Sequence, residues 1–273
     1  MKHIVLGVAC ALGCFGLAAA PTGFLRNGVT AHRGNSGEFP ENTMPAFESA
    51  IALGADWIEI DIYLTKDGQV VICHDNNTGS VGDKKLSVTN STFAELLTVD
   101  VAHGFRTKNK LSVEQCAPLR MPLLEDVIRL MMRQERTRLS LQPKDECVEA
   151  AFKMIRRLQA EHWIGFNDGN LRKMQQVKSL DRSVPVFWDR SAKVDIAKDI
   201  QIALESGFEG IVVNDRGMTQ DMAEQIRKAG LEPGVWTVNS EAEMRRFLEM
   251  GVQRIYTDYP ARLLRLKQAG VGR

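Results

Sequence analysis

The chain has 273 residues, of which 44% are hydrophobic and 25% are charged. This composition is ordinary for a folded domain, and it excludes global disorder, a fibrous chain and a multi-span membrane protein. With 35 Lys and Arg against 34 Asp and Glu the formal charge is +1, so we expect no nucleic-acid partner.

The first 20 residues have the pattern of a secretory signal peptide. After a positive start, residues 4–20 carry no charge and end in small side chains. The segment is shorter than the roughly 20 apolar residues that span a bilayer. We therefore expect residues 1–20 to be removed, no stable membrane span afterwards, and a secreted or periplasmic protein. An uncleaved anchor, or a lipoprotein modified at Cys10 or Cys14, is the alternative.

Short β-rich segments alternate with helical segments from residue 28 onward. Such alternation predicts a parallel sheet covered by helices. The helix signals include Pro45 near a helix start and Gly54 at its end. The predicted strands are Val29 to His32, Trp57 to Ile62, Arg138 to Gln142, Trp163 to Asn167, Val184 to Trp188, Glu209 to Val213, Pro233 to Val238 and Gln253 to Thr257.

The segment 70–74 also looks like a strand, but it lies too close to the second one for a parallel crossover, which needs about a dozen residues. The link contains Asp67-Gly68, a pair typical of a two-residue hairpin turn. We predict an antiparallel hairpin in which Asp61 lies opposite His74.

Eight parallel strands remain, which is the number in a (β/α)8 barrel. Residues 21–273 are thus predicted to form one α/β barrel domain, with the hairpin after strand 2 and a small insertion over about residues 75–120. In such barrels the catalytic groups lie at the carboxyl ends of the strands. The residues with suitable chemistry at these ends are His32, Arg33, Glu59, Asp61, His74, Gln142 and Lys144.

These residue types indicate metal-assisted cleavage of a phosphodiester. The carboxylates of Glu59 and Asp61, two positions apart on a strand, share one face and suit Ca²⁺ or Mg²⁺. A metal together with cationic side chains suits an anionic phosphate. His32 and His74 titrate near neutral pH and suit general acid/base catalysis.

The ordered motifs of the chain resemble those of the glycerophosphodiester phosphodiesterase family over roughly residues 28–266. The motifs are His32-Arg33-Gly34, Pro40-Glu41-Asn42-Thr43, Gly54 through Asp61, Thr65-Lys66-Asp67-Gly68, His74-Asp75, Trp236-Thr237-Val238-Asn239 and Thr257-Asp258-Tyr259-Pro260. The combination is specific, whereas any one motif alone is weak.

The resemblance implies a (β/α)8 barrel that hydrolyses glycerophosphodiesters to an alcohol and sn-glycerol 3-phosphate. The roles it implies are acid/base catalysis for His32 and His74, metal ligation for Glu59 and Asp61, phosphate contact for Arg33 and Lys144, and a place in the substrate pocket for Trp236.

One position departs from the family pattern. The third strand of the family usually ends in Glu-x-Lys, whose Glu is the third protein ligand of the metal, but this chain has Gln142-Pro143-Lys144. The Gln142 carbonyl is still an accepted Ca²⁺ ligand, so we expect Gln142 to complete the set with weaker metal affinity or a different ion preference. The alternatives are a catalytically weak phosphodiester-binding barrel and a phospholipase D-like activity on lysophospholipids.

Several of these residues also have a purely structural interpretation. Arg33 could pair with Glu41, which we expect to orient Arg33 or its loop. Lys144 could be a solvated surface lysine, and Trp236 fits the barrel core as well as it fits the pocket. The sequence does not indicate an oligomeric state.

Overall fold

The computed structural model describes residues 25–272, so the predicted signal peptide lies outside the described residues. The strands are β1 (Val29–His32), β2 (Trp57–Leu64), β3 (Val70–Ile72), β4 (Arg138–Pro143), β5 (Ile164–Asp168), β6 (Val186–Arg190), β7 (Gly210–Asn214), β8 (Glu232–Trp236) and β9 (Arg254–Thr257). The helices are α1 (Met44–Leu53), α2 (Phe93–Leu96), α3 (His103–Asn109), α4 (Leu124–Met131), α5 (Val148–Leu158), α6 (Leu171–Leu180), α7 (Ile196–Ser206), α8 (Gln220–Lys228), α9 (Glu241–Glu249) and α10 (Pro260–Gln268), with a short 3-10 helix at Glu161–Trp163.

Within the described residues, eight parallel strands close into a barrel. The strand order is β1-β9-β8-β7-β6-β5-β4-β2, and a parallel pairing of β1 with β2 closes the ring. Helices follow the strands and cover the outside. The predicted (β/α)8 barrel is therefore confirmed, and the strand bounds differ from the predicted ones by at most two residues.

The alternation of side chains along β2 separates the two layers of the core. Ile58, Ile60 and Ile62 are fully buried between the barrel and the helices. Burial of each such side chain contributes about 1.5–3 kcal/mol. Glu59 and Asp61 point to the opposite face, into the barrel, as the period of two requires.

The hairpin is confirmed, but its predicted register is wrong by one residue. β3 pairs antiparallel with β2 so that Ile62 lies opposite Ile72, and the Cys73 N–H donates to the Asp61 carbonyl. The turn has three residues instead of two, and its last residue is Gly68 with φ of +78°. A glycine in the left-handed region is what a three-residue loop with a bulge requires. His74 thus lies just beyond the ladder, one position past the residue opposite Asp61.

Residues 75–120 form a small layer beside the mouth of the barrel. Their apolar side chains pack on the inward-facing residues of the hairpin, in a cluster that includes Tyr63, Val71, Val88 and Leu96. Helix α3 carries Phe105 toward the mouth, where it borders a cavity. No helix within residues 25–272 is long and apolar enough to cross a membrane.

Candidate active site

His32 is the last residue of β1, and the neighbouring strand β9 supplies its partner. The His32 Nδ1 atom lies 2.7 Å from Asp258 Oδ1. The Ser36 hydroxyl donates to the same oxygen over 3.1 Å, and the Asn239 amide donates to Oδ2 over 2.6 Å. Because a carboxylate only accepts, Nδ1 carries the proton and Nε2 is left for chemistry. Nε2 lies 3.9 Å from Glu59 Oε2.

The surroundings of His32 also set its charge. Burial alone would lower the pKa of His32, but the hydrogen bond to Asp258 and the charge of Glu59 outweigh burial and raise the pKa above 6.5. The same contact favours the ionised form of Asp258: although burial opposes it, the bond to His32 holds the pKa of Asp258 below its usual value.

Arg33 follows His32 with a φ of +56°, an uncommon conformation for a side-chain-bearing residue. Its Nη1 donates to Glu41 Oε1 over 2.9 Å, and its Nε lies 3.4 Å from Asp61 Oδ2. Its backbone N–H donates to Glu59 Oε2 over 3.2 Å. The structure therefore shows the Arg33–Glu41 pair, and it also places Arg33 beside Glu59 and Asp61, two of the three predicted metal ligands.

Glu59 and Asp61 are each only 1% exposed and lie together inside the mouth. Burial, and then the charge of Asp61, raise the pKa of Glu59 well above its ordinary range. Asp61 Oδ2 accepts from the Asn42 amide over 2.9 Å, while Oδ1 lies 3.3 Å from Lys144 Nζ and has no hydrogen bond. Two buried carboxylates that repel each other form a site that favours a cation.

Gln142 and Lys144 complete this side of the mouth. Lys144 Nζ donates to Gln142 Oε1 over 2.8 Å, so Lys144 is not a solvated surface lysine. Its side chain is 21% exposed. Within residues 25–272, no group of three or more His, Cys, Asp or Glu side chains is arranged to hold a metal ion. The oxygen donors of the type that a hard divalent cation takes are here the carboxylates of Glu59 and Asp61 and the carbonyl of Gln142. Their role as metal ligands stays a prediction.

His74 faces the same mouth from the hairpin side. Its side chain is 34% exposed, and its Nδ1 lies 2.8 Å from Asp75 Oδ1. The Ser80 hydroxyl donates to the other carboxylate oxygen of Asp75, Oδ2, over 2.6 Å. A cavity of about 460 Å³ is bordered by His32, Arg33 and His74 and extends to α3. The hairpin thus brings the two histidines to one cavity although they are 42 positions apart in the chain.

Trp236 is half-buried at the end of β8 and packs against a cluster inside the barrel that includes Trp57 and Tyr256. Its indole N–H donates to the Arg190 carbonyl over 3.3 Å. The structure therefore shows packing and a backbone hydrogen bond for Trp236, and its role in substrate binding stays a prediction.

Sequence reasoning missed several residues that hold the site together. Asp258 lies in one of the motifs that carry the resemblance, but the sequence analysis predicts no role for it. It directly follows β9, the strand that pairs with β1. Asn42 similarly lies in a motif and supports Asp61. The sequence analysis also missed Asp189 and Asn167. Each could have been recognised as a polar side chain at an inward position near the end of a barrel strand, where apolar residues are usual.

Comparison with known proteins shows the family of the chain. The family model described as the glycerophosphoryl diester phosphodiesterase family matches residues 32–262. A Bacillus altitudinis protein named glycerophosphodiester phosphodiesterase is 27% identical over 249 residues, which cover 88% of this chain and 98% of the relative. A human lysophospholipase D is 22% identical over 272 residues, covering 85% of this chain and 83% of its own.

A solved structure shares the fold at low identity. The Oleispira antarctica phosphodiesterase in complex with the product sn-glycerol-3-phosphate has a TM-score of 0.76 and 23% identity, and the match covers 90% of this chain and 98% of that one. Because the family model spans most of the sequence, the chain belongs to the glycerophosphoryl diester phosphodiesterase family and is a phosphodiester hydrolase.

Proposed function

We propose that the chain hydrolyses small glycerophosphodiesters to an alcohol and sn-glycerol 3-phosphate, with Ca²⁺ or Mg²⁺ as cofactor. The observation that carries the proposal is the shared cavity of His32, Arg33 and His74 beside the buried carboxylates. The Bacillus relative carries the name of this activity, and the Oleispira neighbour holds the proposed product.

The two histidines divide the proton transfers. One histidine takes the proton of the attacking hydroxyl as the new P–O bond forms. The other delivers a proton to the alcohol oxygen as the old P–O bond breaks. Attack by water gives sn-glycerol 3-phosphate directly, whereas attack by the substrate's own glycerol hydroxyl gives a cyclic phosphate that a water molecule opens in a second step. His32 is suited to either part because Asp258 holds its Nδ1–H and leaves Nε2 available.

The charged groups of the mouth stabilise the phosphoryl oxygens. Arg33 and Lys144 both lie against Asp61 and border the mouth, so their remaining N–H donors are available to an anion. Glu59, Asp61 and the Gln142 carbonyl would hold the cation. When bound, a divalent cation neutralises charge that develops on the phosphoryl group.

The leaving alcohol has room between the histidines and the insertion. There the cavity is bordered by Val81, Val101 and Phe105, and also by Lys108. These apolar side chains favour a second candidate, phospholipase D-like cleavage of lysophospholipids, whose acyl chain would contact them. The human relative carries the name of that activity.

The test is release of sn-glycerol 3-phosphate from glycerophosphocholine and, in parallel, release of choline from lysophosphatidylcholine. Each is measured with chelator, with Ca²⁺ and with Mg²⁺. We expect turnover of glycerophosphocholine that chelator abolishes and one of the ions restores. Binding of both substrates without turnover under any condition would instead support the catalytically weak binding barrel.

We also propose that the mature chain is secreted or periplasmic, because of the pattern in residues 1–20. The intact mass of protein recovered from a cell fractionation tests this. Loss of about 20 residues is expected, and full-length protein in the cytoplasmic fraction would contradict it.

A further inference from the structure

A chain of hydrogen bonds runs through the barrel interior directly beneath the mouth. The Ser140 hydroxyl donates to Asn167 Oδ1 over 2.6 Å, and Asn167 Nδ2 donates to Asp189 Oδ2 over 2.9 Å. Gln142 Nε2 donates to the same Asp189 oxygen over 3.1 Å, and Lys144 Nζ donates to Gln142 Oε1 over 2.8 Å. Five side chains from three adjacent strands, β4, β5 and β6, and from the position just after β4 are thus linked, from Ser140 to the lysine beside Asp61.

The partners fix the direction of every bond in this chain. Burial raises the pKa of Asp189 to about 7, while the amide donors of Asn167 and Gln142 favour its ionised form. The ionised carboxylate can only accept, and Lys144 can only donate. The amide between them therefore has one satisfactory orientation, with its N–H toward Asp189 and its carbonyl toward Lys144. Asp189 is 9% exposed, so water is a poor substitute for either partner.

We infer that Asp189 is a positioning residue, which turns the carbonyl of Gln142 toward Lys144 and Asp61. Gln142 stands in place of the family's glutamate because its amide can donate to Asp189, as a carboxylate could not. A glutamate at position 142 would place two carboxylates in contact in a buried site, and like charges there repel strongly. In this chain the carboxylate that contacts position 142 lies on β6, and the Gln142 amide stands between it and Lys144.

The inference rests on the proposed function only for its activity readout, and its structural part is tested without substrate. Four proteins are compared: the native chain, Gln142→Glu, Asp189→Asn and the double variant. In the native chain the position-189 oxygen accepts from Gln142. In the double variant the amide nitrogen at position 189 donates to the carboxylate at position 142. The Asn167 amide turns with it, so that its carbonyl accepts from position 189 and its N–H donates to the Ser140 hydroxyl, and all partners are matched again.

Thermal unfolding in chelator is the first readout. We expect Gln142→Glu to lower the melting temperature by about 5 °C when Asp189 is present and by less than about 2 °C in the Asp189→Asn background. Asp168→Asn is the matched control: Asp168 is the last residue of β5 and bonds the Asn170 backbone N–H instead of Gln142. In that background Gln142→Glu should keep its full effect. Equal shifts in the Asp189 and Asp189→Asn backgrounds would overturn the inference.

Inhibition by sn-glycerol 3-phosphate is the second readout, because it reports on Lys144. Asp189→Leu removes the acceptor and lets the Gln142 amide rotate, so we expect the inhibition constant to rise about tenfold. Asp189→Asn keeps an oxygen for both donors and should keep the native constant within about threefold. Equal constants in the leucine and asparagine variants would overturn the positioning role. If the native chain hydrolysed no phosphodiester while the unfolding cycle still showed the coupling, the proposed function would fail and the inference would stand.

Discussion

The two histidines that border the cavity are held in different ways. His32 ends a barrel strand, and its Asp258 partner is itself held by two further side chains, Ser36 and Asn239. His74 lies just beyond the short strand β3, and its side chain is 34% exposed. It contacts Asp75, which accepts a hydrogen bond from Ser80 in the insertion. The barrel thus fixes one histidine, whereas the hairpin and the insertion place the other.

Because of this difference, we expect the two histidines to contribute differently to activity and to the stability of the fold. Removal of His32 takes away a proton-transfer group and also a partner of Asp258, which Ser36 and Asn239 hold as well. Removal of His74 affects a side chain that is 34% exposed and whose partner is Asp75. Loss of activity without loss of stability is therefore expected at His74, while both are expected to fall at His32.

The largest effect is expected for His32→Ala. General acid/base groups contribute about 10²–10⁴-fold, so kcat/KM for glycerophosphocholine should fall by about 10³-fold. The melting temperature should fall by a few degrees, because the half-buried Asp258 carboxylate loses a hydrogen-bond partner. The control is His103→Ala, an exposed residue at the start of α3. Native activity in His32→Ala would exclude its acid/base role.

His74→Ala should lower kcat/KM by about 10²–10³-fold with no measurable change in melting temperature. Steady-state kinetics and thermal unfolding of the same preparation check both parts. A fall in melting temperature as large as that of His32→Ala would show that the two histidines are not held differently.

Asp258→Asn should have a smaller effect on activity, about 10–100-fold, because His32 remains but its orientation is less fixed. Asp75→Asn should have a still smaller one, under about tenfold, since water can replace a partly exposed partner. Kinetic constants for the two variants, measured side by side, provide the comparison. Equal losses would contradict the distinction between Asp258, which His32, Ser36 and Asn239 hold, and the more exposed Asp75, which His74 and Ser80 hold.

The smallest effect is a pH dependence of stability. The pKa of folded His32 is raised above 6.5, so its contact with Asp258 stabilises the fold fully below that pH and loses this contribution as pH rises through the folded value. Asp258→Asn should therefore lower the melting temperature more at pH 6 than at pH 9. The titration of His32 followed by NMR in chelator should show its pKa fall in the variant, where burial remains and the bond to the carboxylate is gone. An unchanged titration curve would contradict the assigned cause.

The predictable part of this molecule is the part set by local pattern. Strand alternation placed Glu59 and Asp61 on one inward face, and short β–α repeats gave the barrel and its strand ends. The hairpin register was wrong because Asp67-Gly68 fits both a two-residue and a three-residue turn, and only pairing with β2 decides between them.

The parts that could not be predicted depend on contacts between distant strands. Asp258 meets His32 only because β9 closes the barrel beside β1, and the distance in sequence hides that contact. Gln142 looked like the loss of a carboxylate because its partner Asp189 lies two strands away in the barrel. A polar residue at an inward strand position carries the signal, but the identity of its partner comes from the fold.

The most direct test of the shared acid/base role compares two leaving groups. His32→Ala and His74→Ala are assayed on glycerophosphocholine and on the p-nitrophenyl ester of sn-glycerol 3-phosphate, whose leaving group needs no protonation. We expect both variants to be slow on glycerophosphocholine, by about 10²-fold or more, and only the variant that lacks the general acid to recover on the nitrophenyl ester. Either variant cleaving glycerophosphocholine within about threefold of the native rate would contradict a two-histidine mechanism.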